Sequence, residues 1–201
     1  YDPRWAYLPD AINKPPFATV ADYRRQVQKR LGLTRDIIVQ PSTYGLDNGC
    51  LLDALARQGG NARGVAVVGA NVSDAELDRL HKAGVRGTRI QFGLGDPVKL
   101  NEVEPLARRI KRLGWHMQFN MLPAQYVEHE ALLARLPAPV MIDHMARTPN
   151  LGSPTFTSLK RLLDGGNAWV KISGAYLYGA APGPDYADTS AVARALVAAA
   201  P

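Results

Sequence analysis

A carboxylate, an imidazole and a guanidinium follow one another at Asp143, His144 and Arg147, directly after the apolar run Val140, Met141, Ile142. A histidine near its ordinary pKa can donate or accept a proton or ligate a metal. An arginine three residues further on carries a permanent charge and can border the same bound group. Together they suit a reaction in which a carbonyl is polarised, water is delivered and a developing oxyanion is stabilised. The blander readings are a histidine satisfied by nearby backbone groups and an arginine on a solvent-facing loop.

Other residues could share that work. Arg89 follows Gly87 and Thr88 in a largely apolar stretch, and an inward guanidinium must meet an anion, either a substrate carboxylate or a structural partner such as Asp143. Ser42 ends the run at 37–42 beside Thr43, Tyr44 and Gly45, where its hydroxyl serves a substrate oxygen or a turn. No Gly-x-Ser-x-Gly setting surrounds it, so a nucleophilic role is not expected. Along 116–121 the side chains of His116, Gln118 and Asn120 share one face by strand alternation. Asn120, nearest the carboxyl end, is the expected substrate contact of the three, and His116 is expected to be structural. The same alternation groups Gln40 with Ser42, Arg89 with Gln91, and Lys171 with Ser173, so one polar face recurs along the chain. Lys171 is expected to pair with a carboxylate. Tyr176 and Tyr178 either wall a pocket or lie on the surface. Asp143 alternates with His144 and is therefore expected to face a helix layer. His81 and His129 fall within helical stretches and carry no functional signal. Cys50 precedes Leu51 and Leu52 and reads as a packing residue.

Strand and helix signals alternate strictly. A helix from Thr19 to about Leu31 precedes a strand at 36–42, and helical patterns at 46–58, 73–84, 101–114, 124–136, 156–166 and 187–200 are interleaved with strands at 63–72, 85–92, 115–121, 139–147 and 167–174. Ser73 with Glu76 forms a capping-box pattern. Alternation in units of roughly 25 to 35 residues implies parallel strands with crossover helices. A polar face inside apolar strands favours a barrel over an open sheet, because a barrel gathers that face at one mouth.

At 201 residues and 46% apolar content the chain fits one domain better than two. No apolar run reaches the roughly 18 to 20 residues that span a bilayer. The net charge of +6 comes largely from Lys and Arg interleaved with apolar residues at helical spacing, a solvated outer face, so nucleic acid is not an expected partner. A small anionic ligand is. The single cysteine fits a cytoplasmic setting, with periplasmic export left open because the sequence starts at Tyr1 without a methionine. A homo-oligomer is also left open.

The stretches 140–147, 37–45, 84–92 and 170–176, in this order and spacing, resemble the amidohydrolase superfamily, in the branch of the 2-pyrone-4,6-dicarboxylate lactonases and galactarolactone isomerases. The resemblance implies a TIM-type (β/α)8 barrel of which residues 1–201 cover about strands two to seven as a single domain, without the first and last strands. It makes His144 the histidine after the sixth strand and sets a His-x-His pair before residue 1 and an aspartate beyond Pro201. It implies a hydrolase that opens a lactone of a small organic or sugar acid. The alternatives are a lactone isomerase using the same site and a noncatalytic binder of small organic acids. His144 is the expected catalytic residue, with Arg89, Arg147, Ser42, Asn120 and Tyr176 as substrate contacts. Either no cofactor is used, or a divalent metal such as Zn²⁺ with His144 among its ligands. Gly93, Leu94, Gly95 and Asn120 stand where the branch is expected to carry basic side chains and a tyrosine for two carboxylates, so a dicarboxylate pyrone is not the expected substrate.

Overall fold

The computed structural model describes residues 1–92 and 97–201. The Gly93 to Gly95 positions singled out above lie outside the described residues. By its contacts the chain divides into two compact units, Tyr1–Arg89 with Leu113–Trp115, and Ile90–Arg112 with His116–Pro201.

In the first unit, Thr19 caps α1 (Val20–Tyr23), accepting from the Asp22 amide while its own amide donates to the Asp22 carboxylate. The helix continues through a π-helical stretch (Arg24–Gln28) into α2 (Lys29–Leu31) and stops at Gly32, whose φ of 66° suits a residue without a Cβ. β1 (Asp36–Val39), β2 (Ala62–Ala66) and β3 (Val85–Ile90) run parallel, with Val39 opposite Val65 and Ala66 opposite Thr88. Between them lie α3 (Gly49–Gln58) and α4 (Asp74–Lys82), the latter capped by the Ser73 hydroxyl accepting from the Glu76 amide. β2 is shorter than the apolar run that announces it, because the Asn48 side chain replaces a strand partner. Its amide nitrogen donates to the Val67 carbonyl at 2.9 Å and its oxygen accepts from the Val67 amide at 3.0 Å.

The faces of these strands differ from expectation at one place. A Cβ on Gly64 would lie 2.8 Å from a Leu55 methyl of α3, so Gly64 faces that helix. Alternation and register give Ala66, Thr88 and Gln40 the same face, and Arg89 the other. Gln40 is fully buried and donates to the Asp47 carbonyl at 2.7 Å, fastening the loop that precedes α3. It belongs to the packing, not to a shared polar face with Ser42.

The Arg4 guanidinium spans Asp2 and Asp53 at 2.9 and 2.7 Å, and Arg57 joins Asp53 at 2.7 Å. Hydrogen bonds from Arg4 depress both carboxyls, that of Asp2 to about 2. A depressed folded pKa gives stability that is complete above the ordinary value of 3.8 and is lost as pH falls toward 2. Melting temperature should therefore decline across that window in the wild type and decline less steeply in Arg4→Ala. Parallel acid profiles for the two proteins would show that the network contributes nothing.

In the second unit β4 (His116–Phe119), β5 (Val140–Ile142) and β6 (Ala168–Val170) are parallel, with Phe119 opposite Ile142 and Ile142 opposite Val170. Its helices are α5 (Leu100–Lys111), α6 (Pro123–Glu128), α7 (Glu130–Arg135), α8 (Pro154–Asp164) and α9 (Ala187–Ala199). The single helix expected at 124–136 is broken at His129, which leaves helical geometry with φ −105° and caps both pieces. Met117, Phe119, Val140 and Ile142 are buried with Leu106, Ile110, Leu133 and Leu159 of the helices. That leaves Gln118, Asn120 and Met141 on the face away from the helices, as the alternation of 116–121 requires.

Candidate functional site

β5 ends at Ile142, earlier than the expected 147, and the backbone then turns left-handed. His144, Met145, Ala146 and Arg147 have φ of 52°, 54°, 53° and 52° without a glycine among them. Left-handed geometry costs an L-residue about 1–2 kcal/mol, and such strain gathers where a function over-determines the backbone. Several bonds hold this turn. The Met145 amide donates to the Lys171 carbonyl at 3.1 Å and the Lys171 amide to the Ile142 carbonyl at 2.9 Å, while the Thr148 amide and hydroxyl both donate to the Met145 carbonyl. Met145 and Ala146 are buried beneath it.

Asp143 is the main correction. Its carboxylate does not face the helices. It accepts from Gln118 Nε2 at 3.0 Å and pairs with Lys171 Nζ at 3.0 Å, on the same face as the polar column of β4. Register explains it: Asp143 lies two residues beyond Met141, which stands opposite Gln118. His144 escapes that alternation because its φ is no longer extended. Lys171 has the acidic partner expected of it.

The His144 ring presents Nδ1 to the Ser173 hydroxyl at 3.0 Å. Arg147 donates from Nη2 to Asn120 Oδ1 at 2.9 Å and from Nη1 to the Tyr178 hydroxyl at 3.5 Å, with its guanidinium carbon 5.7 Å from the Tyr178 ring centre. These partners are neutral. Among the described residues no carboxylate pairs with Arg147, and its buried Nε has no hydrogen-bond partner there.

The structure thus brings Arg147 to Asn120 in the second unit, with His144 three residues before Arg147 on the same turn. Tyr176 is 72% exposed, and Tyr178, two residues on, lies beside Arg147. Ser42 and Arg89 belong to the first unit. Ser42 is exposed at the start of a 3-10 turn (Ser42–Tyr44), and half-buried Arg89 donates to the Gln40 carbonyl at 3.4 Å. Ser173 and Gln118 were visible in sequence as members of polar columns, but their partners 29 and 25 residues away were not. For a metal the donor set falls short: among the described residues no three His, Cys, Asp or Glu side chains converge, so His144 is a lone candidate ligand and no step is assigned to a metal.

The amidohydrolase family model matches residues 1–201. The chain belongs to the amidohydrolase family. Among curated relatives of this amidohydrolase, a 2-pyrone-4,6-dicarboxylate hydrolase of Comamonas testosteroni is 36% identical over 179 residues, 86% of this chain and 56% of that protein. A D-galactarolactone isomerase of Agrobacterium fabrum is 30% identical over 206 residues, 100% of this chain and 70% of that one. The chain therefore spans little more than half the length of the first of them. The apo crystal structure of an Agrobacterium tumefaciens protein matches with a TM-score of 0.90 and 29% identity, covering 100% of this chain and 72% of that one. The amidohydrolase has the expected fold class, an α/β barrel type built of parallel strands alternating with helices. Among the described residues no helix is long and apolar enough to cross a membrane.

Proposed function

We propose that this amidohydrolase contributes the reacting imidazole and an anion clamp to an enzyme that hydrolyses a lactone carrying a carboxylate. One observation carries the reading: on a single strained turn, His144 sits three residues from Arg147, a guanidinium whose partners among the described residues are all neutral. A cation held in place by neutral groups keeps its charge for a ligand. Arg147 would take the substrate carboxylate, with Asn120 holding the guanidinium plane. His144 would stand at the ring ester and move the proton of the attacking water. Water adds to the carbonyl carbon, the ring C–O bond breaks, and the released oxygen takes a proton to leave an open hydroxy acid. Tyr176 enters as a further substrate contact on its position in the sequence. The names of both curated relatives, a pyrone dicarboxylate hydrolase and a lactone isomerase, support a cyclic ester as substrate. The second relative, which matches the chain along its whole length, also favours isomerisation as the alternative outcome at the same site.

A panel of carboxylated and neutral lactones, assayed with the full-length enzyme and followed by NMR, tests this. An open acid as product supports hydrolysis, and a second ring supports isomerisation. Turnover of neutral lactones in preference to acids would remove the anion clamp from the proposal. Arg147→Met should raise KM for a carboxylated lactone by roughly 10- to 100-fold, the scale of losing a charge-assisted hydrogen bond, while a neutral analogue changes little. Equal KM effects on both substrates would show that Arg147 shapes the fold and does not bind the acid.

A further inference from the structure

We propose that Ser173 is a positioning residue for His144, fixing the orientation of the imidazole. The inference rests on the lactone-opening role assigned to His144. Its basis is the way the chain after β6 is bound to the turn that bears the histidine. Lys171 is tied there three times, through its amide to Ile142, through its carbonyl to Met145 and through its ammonium to Asp143. From this anchor the chain bends tightly, the Ser173 amide donating back to the Lys171 carbonyl at 3.0 Å. That bend carries the Ser173 hydroxyl to 3.0 Å from His144 Nδ1. The next residue, Gly174, adopts φ 72°, and a Cβ there would stand 3.1 Å from both Cβ and Cγ of His144. The imidazole is thus held at one nitrogen by Ser173 and packed at its base against the Gly174 backbone.

A hydrogen bond between a neutral imidazole nitrogen and a hydroxyl needs one proton between them. If Nδ1 carries it, Nε2 is a base; if the hydroxyl supplies it, Nε2 is a donor. The hydroxyl can take either role, so the bond holds the ring in place in both tautomers, and a held ring is what a group moving protons at an ester requires. Ser173 is exposed, so removing its hydroxyl uncovers little buried surface. A purely structural role therefore predicts almost no effect from its loss.

The test uses full-length protein labelled with ¹⁵N-histidine, as wild type, Ser173→Ala and Ser173→Thr, at a pH where the ring is neutral. The His144 Nδ1 signal should show the shift of a hydrogen-bonded nitrogen in wild type and in Ser173→Thr, and lose it in Ser173→Ala. On a lactone substrate, kcat of Ser173→Ala should fall roughly tenfold with KM and melting temperature unchanged, and Ser173→Thr should restore it. Ring signals of Ser173→Ala identical to wild type would overturn the proposal, as would a threonine variant no better than the alanine one. Because the ring signals need no substrate, a wild-type protein that opens no lactone would defeat the functional reading while these spectra still decide the role of Ser173.

Discussion

His144→Asn should lower kcat/KM on a carboxylated lactone by roughly 10²- to 10⁴-fold, the range for losing a positioned acid–base group, without lowering the melting temperature. Asparagine is the informative choice because of the backbone. Position 144 has φ 52°, and asparagine tolerates that region better than most residues. Its amide can also keep a hydrogen bond to Ser173 while having no nitrogen that exchanges protons near neutral pH. Loss of activity in a protein that melts like wild type would locate the chemistry at the imidazole itself. Wild-type turnover in His144→Asn sinks the assignment of this site.

The second large effect is on stability. Asp143→Ala should destabilise by about 3 kcal/mol, the lower end for breaking a buried ion pair from one side, since Lys171 keeps 29% side-chain exposure against 1% for Asp143. The variant leaves the Lys171 ammonium and the Gln118 amide without the carboxylate that both now meet. For a chain of this length each kcal/mol shifts melting by roughly 2–4 °C. Lys171→Met added to Asp143→Ala should recover part of the loss, because replacing both members of a buried pair with apolar groups is far less costly than removing one. Additive losses in the double variant would mean that the two side chains act independently, and a single Asp143→Ala that melts as wild type would deny the pair any role.

Activity should respond to the same substitution. Asp143 precedes the left-handed turn, so loosening it frees the start of the segment that presents His144 and Arg147. The expected signature is a fall in kcat that the Lys171→Met addition does not restore, even where melting temperature partly recovers.

Local patterns in the sequence foretold much of this. Thr19 and Ser73 stand at helix starts because their hydroxyls can accept from amides three residues on. The alternation in 116–121 correctly separated Met117 and Phe119, packed under helices, from Gln118 and Asn120. Such inferences hold because a strand or helix repeats one conformation, so side-chain direction follows from counting.

Counting fails where the conformation changes. Asp143 was misdirected by counting from His144, where four consecutive non-glycine residues begin to turn left-handed, which no residue type among them announces. Gln40, one residue past β1, is captured by the carbonyl of Asp47. Tyr178 lies beside Arg147 just past a 3-10 turn (Ala175–Leu177) that carries exposed Tyr176. The amino-acid sequence by itself determined the parallel alternation of elements, the family, and the residue types able to handle an acidic ester. Tertiary structure alone decided which of them meet: Ser173 with His144, Asn120 with Arg147, Lys171 with Asp143. These pairs are 27 to 29 residues apart, and only the folded chain, by closing the loops between them, can balance the strain of the turn with bonds from neighbouring strands.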